Sequence, residues 1–195
     1  MNSNSCATRA VYPVFLRLEA ARVVVVGAGP VAASKLEGLL TAGALVTVIA
    51  PEVDERCLRE GVTVERRPYR QGDLAGARFV VAAAPKEVNR AVAAEADAIG
   101  IPANVVDDLE LATAYLGGVV RRGAVTFAIS TGGAAPALAG LLREALDTLL
   151  PTDLDHWVEL ARQQRSAWKD TALDLTARRE KLRQALIASA PKGHL

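Results

Sequence analysis

The chain has 195 residues, 51% of them hydrophobic, with a formal net charge of +1, two cysteines and two histidines. That length holds one sizeable domain plus an appendage. The near-neutral balance excludes a strongly basic nucleic-acid face without an acidic counterweight. Cys6 and Cys57 are too few for a disulfide framework and have no metal-ligand spacing, so they read as reduced thiols of a cytoplasmic chain. Met1 to Arg9 lacks the apolar centre of a signal peptide, and no apolar run is long enough to cross a membrane.

Arg22-Val23-Val24-Val25-Val26 predicts a strand buried on both faces, as in a parallel sheet. It runs into Gly27-Ala28-Gly29-Pro30-Val31, after which Ala32, Ala33, Leu36, Leu39 and Leu40 recur at helical spacing. Strand, Gly-x-Gly turn and helix together form the phosphate-binding opening of a dinucleotide fold. Gly27 permits the tight turn, Gly29 lets a pyrophosphate approach the backbone, and Ala32 allows close helix–strand packing. Pro30 stands at the first helical position, where its missing N–H costs nothing, and the free amides there favour an anion.

Leu45 to Ala50 predicts a second strand, followed by Pro51 and Glu52. Glu52 lies where an acidic residue accepts from an adenosine ribose, although a solvated loop carboxylate has the same position. No arginine follows it immediately to hold a 2′-phosphate, which favours NAD over NADP. Val62 to Arg66 and Phe79 to Ala84 predict two more strands, Lys86 to Gly100 a helix, and Ile101 to Val106 a fifth strand. This alternation implies an open, mostly parallel Rossmann-like sheet. Ligands bind such sheets outside the carboxyl ends of the strands, where Gly27, Glu52, Pro85 and Asp107 gather.

From Ala112 the pattern changes. Ala112 to Arg121 and Ala124 to Ser130 predict a hairpin around Arg121-Arg122-Gly123. Ser130-Thr131-Gly132-Gly133 then leads into a helix from about Pro136 to Leu149, closed by Pro151, and a charged helical tail runs from Asp153 to about Ala188. The expected organisation is an α/β nucleotide domain over 1–111, a small α+β dimerisation hairpin and helix over 112–150, and a helical region over 151–195. Hairpin edges invite a second copy, so a homodimer is expected, and 190–195 is expected to fray.

Hydride transfer needs a group to take the accompanying proton. The two histidines, His156 and His194, both lie in the tail, so Asp107 is the best-placed carboxylate. Asp107 or Asp108 capping the following turn is the alternative. The hydroxyls of Ser130 and Thr131 suit an ordinary helix cap, and the amides of that turn also suit a bound carboxylate.

Val26 to Ala32 with Lys35, Asn104-Val105-Val106-Asp107, Arg121-Arg122-Gly123, and Ser130-Thr131-Gly132-Gly133-Ala134-Ala135-Pro136 occur in that order. In this order and spacing the chain, from about Tyr12 to at least Pro151, resembles the precorrin-2 dehydrogenase family, which also forms the N-terminal module of siroheme synthase. The resemblance implies NAD⁺-dependent oxidation of precorrin-2 to sirohydrochlorin, with ferrous iron as a further substrate in members that also chelate. It implies a homodimer with a tetrapyrrole cleft beside the dimerisation region. Asp107 takes the place of the family's catalytic aspartate. Gly27, Ala28, Gly29, Pro30, Val31, Pro51 and Glu52 take the places of its nucleotide contacts, and Thr131 that of the residue of its glycine turn near the tetrapyrrole; Asn104, Ser130 and Gly132, in the same motifs, are the further substrate-binding candidates. No resident metal site is implied. The chain departs from the family at Ala114 and Gly117, where a phenylalanine and a proline are usual. Two adjacent glycines, Gly117 and Gly118, would loosen a strand and unwall a cleft. They motivate the reading of a non-catalytic tetrapyrrole- or haem-binding relative; an NAD-sensing regulatory domain is a further reading, against which the motif order after Asn104 argues.

Overall fold

The computed structural model describes residues 10–168 and 173–189; Cys6, His194, the end of the chain from 190 and the stretch 169–172 lie outside them. The chain divides into two compact units, Met1–Leu116 and Gly117–Leu195.

The first unit contains β1 (Arg22–Val26), α1 (Pro30–Thr41), β2 (Leu45–Ile49), β3 (Val62–Glu65), β4 (Phe79–Ala82), α2 (Lys86–Ile99) and β5 (Ala103–Val105). Its five strands form one sheet in the order β3-β2-β1-β4-β5, with every neighbouring pair parallel. The valine run makes this possible. Val23 and Val25 pack with Ala32, Ala33, Leu36 and Leu39 of α1, while Val24 and Val26 pack with Val92, Ala93 and Ala96 of α2. All four valines are at most 1% exposed, and such burial is worth about 1.5–3 kcal/mol per side chain. From β1 the chain winds outward through β2 and β3, then returns to add β4 and β5 on the other side. The reversal lies between β1 and β4, the point at which doubly wound sheets open a ligand crevice.

The second unit holds an antiparallel hairpin, β6 (Gly118–Arg122) and β7 (Val125–Ile129), followed by α3 (Pro136–Leu149), α4 (Leu154–Ala167) and α5 (Leu175–Ser189). Gly117 and Gly118 are packing residues here. A Cβ on Gly117 would stand 1.9 Å from the Ile129 carbonyl oxygen, and one on Gly118 would stand 3.0 Å from the Ala139 carbonyl oxygen of α3. Bare backbone lets the hairpin and α3 approach, so the pair tightens this unit. α3 ends at Leu149, and its C-cap Leu150 has the extended ψ of 135° that the following Pro151 imposes.

Two expected elements differ. Residues 112–117 form an irregular return segment, not a strand. The Thr113 and Ala114 amides both donate to the Ala103 carbonyl, and Thr113 Oγ1 accepts the Ala103 N–H at 2.8 Å. A side chain thus occupies the β5 edge that a ladder would need. The hairpin turn is Gly123-Ala124, one residue later than expected, because Arg122 pairs with Val125. Gly123 at φ +53° opens that two-residue loop, as the primed hairpin turns require. The tail is helical over α4 and α5, as expected.

Candidate functional site

The site begins with the backbone after β1. Gly27 has φ +99°, and a Cβ there would lie 2.1 Å from the Ala83 carbonyl oxygen. The turn hugs the end of β4 and admits only glycine. Gly29 is the N-cap of α1 with φ −86°, and a Cβ there would meet nothing within 4 Å. Its lack of a side chain leaves open space outside the helix start. Pro30 is at the first helical position, no side chain caps α1, and its first turn has no acidic residue. The amides of Val31 and Ala32 are therefore left to an outside anion. Ala32, the third small residue, is fully buried against the sheet.

That open space is part of a cleft of ≈ 860 Å³, a volume in the range of small-molecule and cofactor sites. Gly27, Ala28 and Gly29 form its floor, with Pro51, Glu52 and Tyr69 among its walls. Glu52 is exposed and its carboxylate has no partner among the described residues, three residues beyond β2. Asp54 is anchored by its N–H to the Ala28 carbonyl at 3.0 Å. Its carboxylate takes Arg56 Nε and Nη2 at 2.9 and 2.8 Å, and these bonds hold the Asp54 carboxyl down at about 2. Cys57 is buried beneath, its Sγ 3.5 Å from the same Ala28 carbonyl, and burial pushes its thiol up. Tyr69 is fixed by a hydrogen bond from its hydroxyl to Glu95; burial, then Glu95, pushes its phenol up. Tyr69 and Pro68 escaped the sequence reading. Their signal was their place after β3, at the carboxyl edge of the sheet.

A second recess of ≈ 320 Å³ lies at the carboxyl ends of β4 and β5, lined by Val31, Lys86, Asn89, Val106, Asp107 and Asp108. Hydrogen bonding distinguishes the two aspartates that line it. Asp108 Oδ1 accepts the Glu110 and Leu111 amides at 3.2 Å each, so Asp108 is the turn cap. Asp107 is exposed, has φ +59°, and its carboxylate has no partner among the described residues. Left-handed backbone at a non-glycine residue is uncommon and clusters at functional positions. Asn104 is turned to the fold: its Nδ2 donates to the Ala114 carbonyl at 2.9 Å, pinning the return segment.

In the second unit, Ser130 Oγ accepts the Gly132 amide at 3.1 Å and Thr131 Oγ1 accepts the Ala135 amide at 3.3 Å. Both hydroxyls cap the approach to α3 and keep their own O–H to donate. Arg122 is tied to α3 through the Asp147 carboxylate at 2.8 Å. Arg121 is exposed, with no side-chain partner among the described residues.

A parallel sheet with this switch point, a Gly-x-Gly turn leading into an uncapped helix, and a cleft over both defines a dinucleotide-binding α/β fold. The model of the family described as "Putative NAD(P)-binding" matches residues 14–118, and the chain belongs to that family. The siroheme synthase of Gluconacetobacter diazotrophicus is 40% identical over 177 residues, which cover 86% of this chain and 38% of that protein. The siroheme synthase of Pseudomonas putida is 40% identical over 172 residues, covering 86% of this chain and 37% of that one. The chain thus spans less than two fifths of the length of these relatives. Its fold is that of the solved structure of SirC, precorrin-2 dehydrogenase, with a TM-score of 0.64 at 24% identity over 90% of this chain and 89% of that one. The family likeness read from the order of the motifs is shown by these matches.

Proposed function

We propose that this chain catalyses NAD⁺-dependent oxidation of precorrin-2 to sirohydrochlorin. The observation that carries the reading is the division of labour at the end of β5. Asp108 caps the turn, which leaves Asp107 unpartnered in a recess beside the nucleotide loop. The open floor at Gly29 and the uncapped α1 fit a pyrophosphate. When bound, NAD⁺ supplies a hydride acceptor. The amides at the start of α1 bind the diphosphate, Pro51 and Glu52 line the adenosine side, and Glu52 accepts from the ribose hydroxyls. Glu52 also repels a 2′-phosphate, and Arg56 is engaged by Asp54, which together favour NAD⁺ over NADP⁺. Asp107 takes the proton released as the hydride leaves. Ser130, Thr131 and Gly132 offer hydroxyl and amide donors to tetrapyrrole carboxylates. Asn104 contributes through its carbonyl, since its amide nitrogen holds Ala114. Ferrous iron as a further substrate, a homodimeric state and a cytoplasmic location complete the reading. The similarity to siroheme synthases and the fold shared with the SirC structure support it.

The test is anaerobic: purified protein with enzymatically generated precorrin-2 and NAD⁺. Sirohydrochlorin absorbance and NADH rising together are the expected result, and ferrous ion added afterwards tests chelation. Tight tetrapyrrole binding without NADH would overturn the dehydrogenase in favour of a carrier.

A further inference from the structure

Asn89, in the first turn of α2, is 6% exposed and stands alone as a buried polar residue among those described. Its two polar ends face different things. Oδ1 accepts the Ala84 N–H at 3.0 Å, tying the end of β4 to α2. Nδ2 has no hydrogen-bond partner among the described residues, yet it is not sealed within protein. It borders the ≈ 320 Å³ recess that also holds Asp107. In the open recess that donor is met by water, and a ligand carrying an acceptor there replaces the water bond with a direct one.

The place of the recess says which ligand. Glu52 and the larger cleft's outer wall follow β2, whereas this recess follows β4 and β5, on the other flank of the Gly27–Gly29 loop. A dinucleotide that lies across that loop with its adenosine ribose at Glu52 carries its other half towards β4 and β5. The recess is no anion site, because Asp107 and Asp108 outnumber Lys86. A neutral acyl oxygen suits it. Resting on the dinucleotide reading above, we propose that Asn89 Nδ2 donates to the carbonyl oxygen of the nicotinamide carboxamide. It is a positioning residue: it fixes the orientation of the ring beside Asp107, while its oxygen keeps the β4–α2 turn in place.

Asn89→Asp separates the two halves, since it keeps an oxygen for the Ala84 N–H and replaces the donor with an acceptor. Titration calorimetry of the full chain at neutral pH compares NAD⁺ with ADP-ribose, which lacks the nicotinamide. Wild type is expected to bind both. The variant is expected to keep its ADP-ribose affinity within about twofold and lose about tenfold for NAD⁺. An unchanged ratio of the two affinities in Asn89→Asp overturns this inference and leaves the nucleotide site standing. Absence of ADP-ribose binding by wild type overturns the nucleotide reading and this inference with it. A raised tetrapyrrole KM with unaltered NAD⁺ affinity gives the amide to the second substrate and also overturns it. A test on wild type alone avoids any folding defect. Thionicotinamide adenine dinucleotide, whose sulfur is a poor acceptor, is expected to bind several-fold more weakly than NAD⁺, and equal affinity counts against the assignment.

Discussion

A Cβ at Gly27 would collide with the Ala83 carbonyl, whereas one at Gly29 would stand in open space. Gly27→Ala is therefore expected to unfold the first unit at lower temperature, by about 2–4 kcal/mol, because it combines a backbone clash with left-handed φ. Gly29→Asp is expected to leave the melting temperature within a few degrees and to abolish NAD⁺ binding, by setting a carboxylate against the diphosphate. Thermal melts and NAD⁺ titrations on both variants check the pair. NAD⁺ affinity retained in Gly29→Asp would move the cofactor off the loop. At Asp107 the backbone decides which variant is clean. With φ at +59°, alanine would add strain, whereas asparagine tolerates the left-handed region. Asp107→Asn is expected to keep the NAD⁺ affinity and lose about 10²–10⁴-fold in the rate of NADH formation, as removal of a proton acceptor does. Single-turnover absorbance reads that rate, and full activity in the variant would reduce Asp107 to a turn residue.

At the scale of elements, the edge of the sheet is held by charge. Asp73, in the connection from β3 to β4, accepts Arg67 Nη1 at 2.7 Å and the Arg70 amide at 2.7 Å. These bonds, the Arg67 side chain first, hold its carboxyl below the ordinary value. A carboxyl lowered by folding contributes its full stability above the unfolded value near 3.8 and loses it as pH falls through the folded value. Urea midpoints are expected to drop as pH falls below about 4, and Asp73→Asn is expected to flatten that drop while lowering the midpoint at neutral pH. An equally steep drop in the variant would place the acid sensitivity elsewhere. The elements differ in how far the sequence disclosed them. β1, its turn and α1 were legible because each residue's local preference agrees with its tertiary role: four valines for a sheet covered on both sides, glycine for φ +99°, proline for the first helical position. The segment 112–117 was not, because its conformation depends on Thr113 and Asn104 meeting backbone on the far side of a turn. Gly117 and Gly118 read as weak points for the same reason, since the carbonyls they accommodate are remote in sequence. Position put Asp107 ahead of Asp108 but left open which of them caps the turn, and the Asp108 hydrogen bonds answer that.

On the scale of the whole molecule, the second unit leaves an apolar helix face uncovered. In α3, Ala139 is buried, with Gly118 against its carbonyl. Leu138, Leu141, Leu142 and Leu149 are 49%, 64%, 45% and 79% exposed. Together with exposed Ala145, their spacing of three, four and seven places them along one stripe of the helix. A stripe of that kind on an isolated chain costs the apolar surface it leaves in water, about 25 cal/mol for each Å², and a two-fold copy of the same face removes the cost for both chains at once. The homodimer proposed above puts its seam here. Leu141→Glu is expected to convert the dimer to a monomer in sedimentation velocity, with little change in helix content, because the substituted side chain already stands in solvent within one chain. Leu58→Glu, at an exposed leucine (50%) of the nucleotide unit, is the control and is expected to leave the dimer intact. Equal effects of the two charges would mean a general loss of solubility, and no effect from Leu141→Glu would move the seam off α3. A monomer produced by Leu141→Glu that still binds NAD⁺ would also show that the cofactor half of the site is complete within one chain.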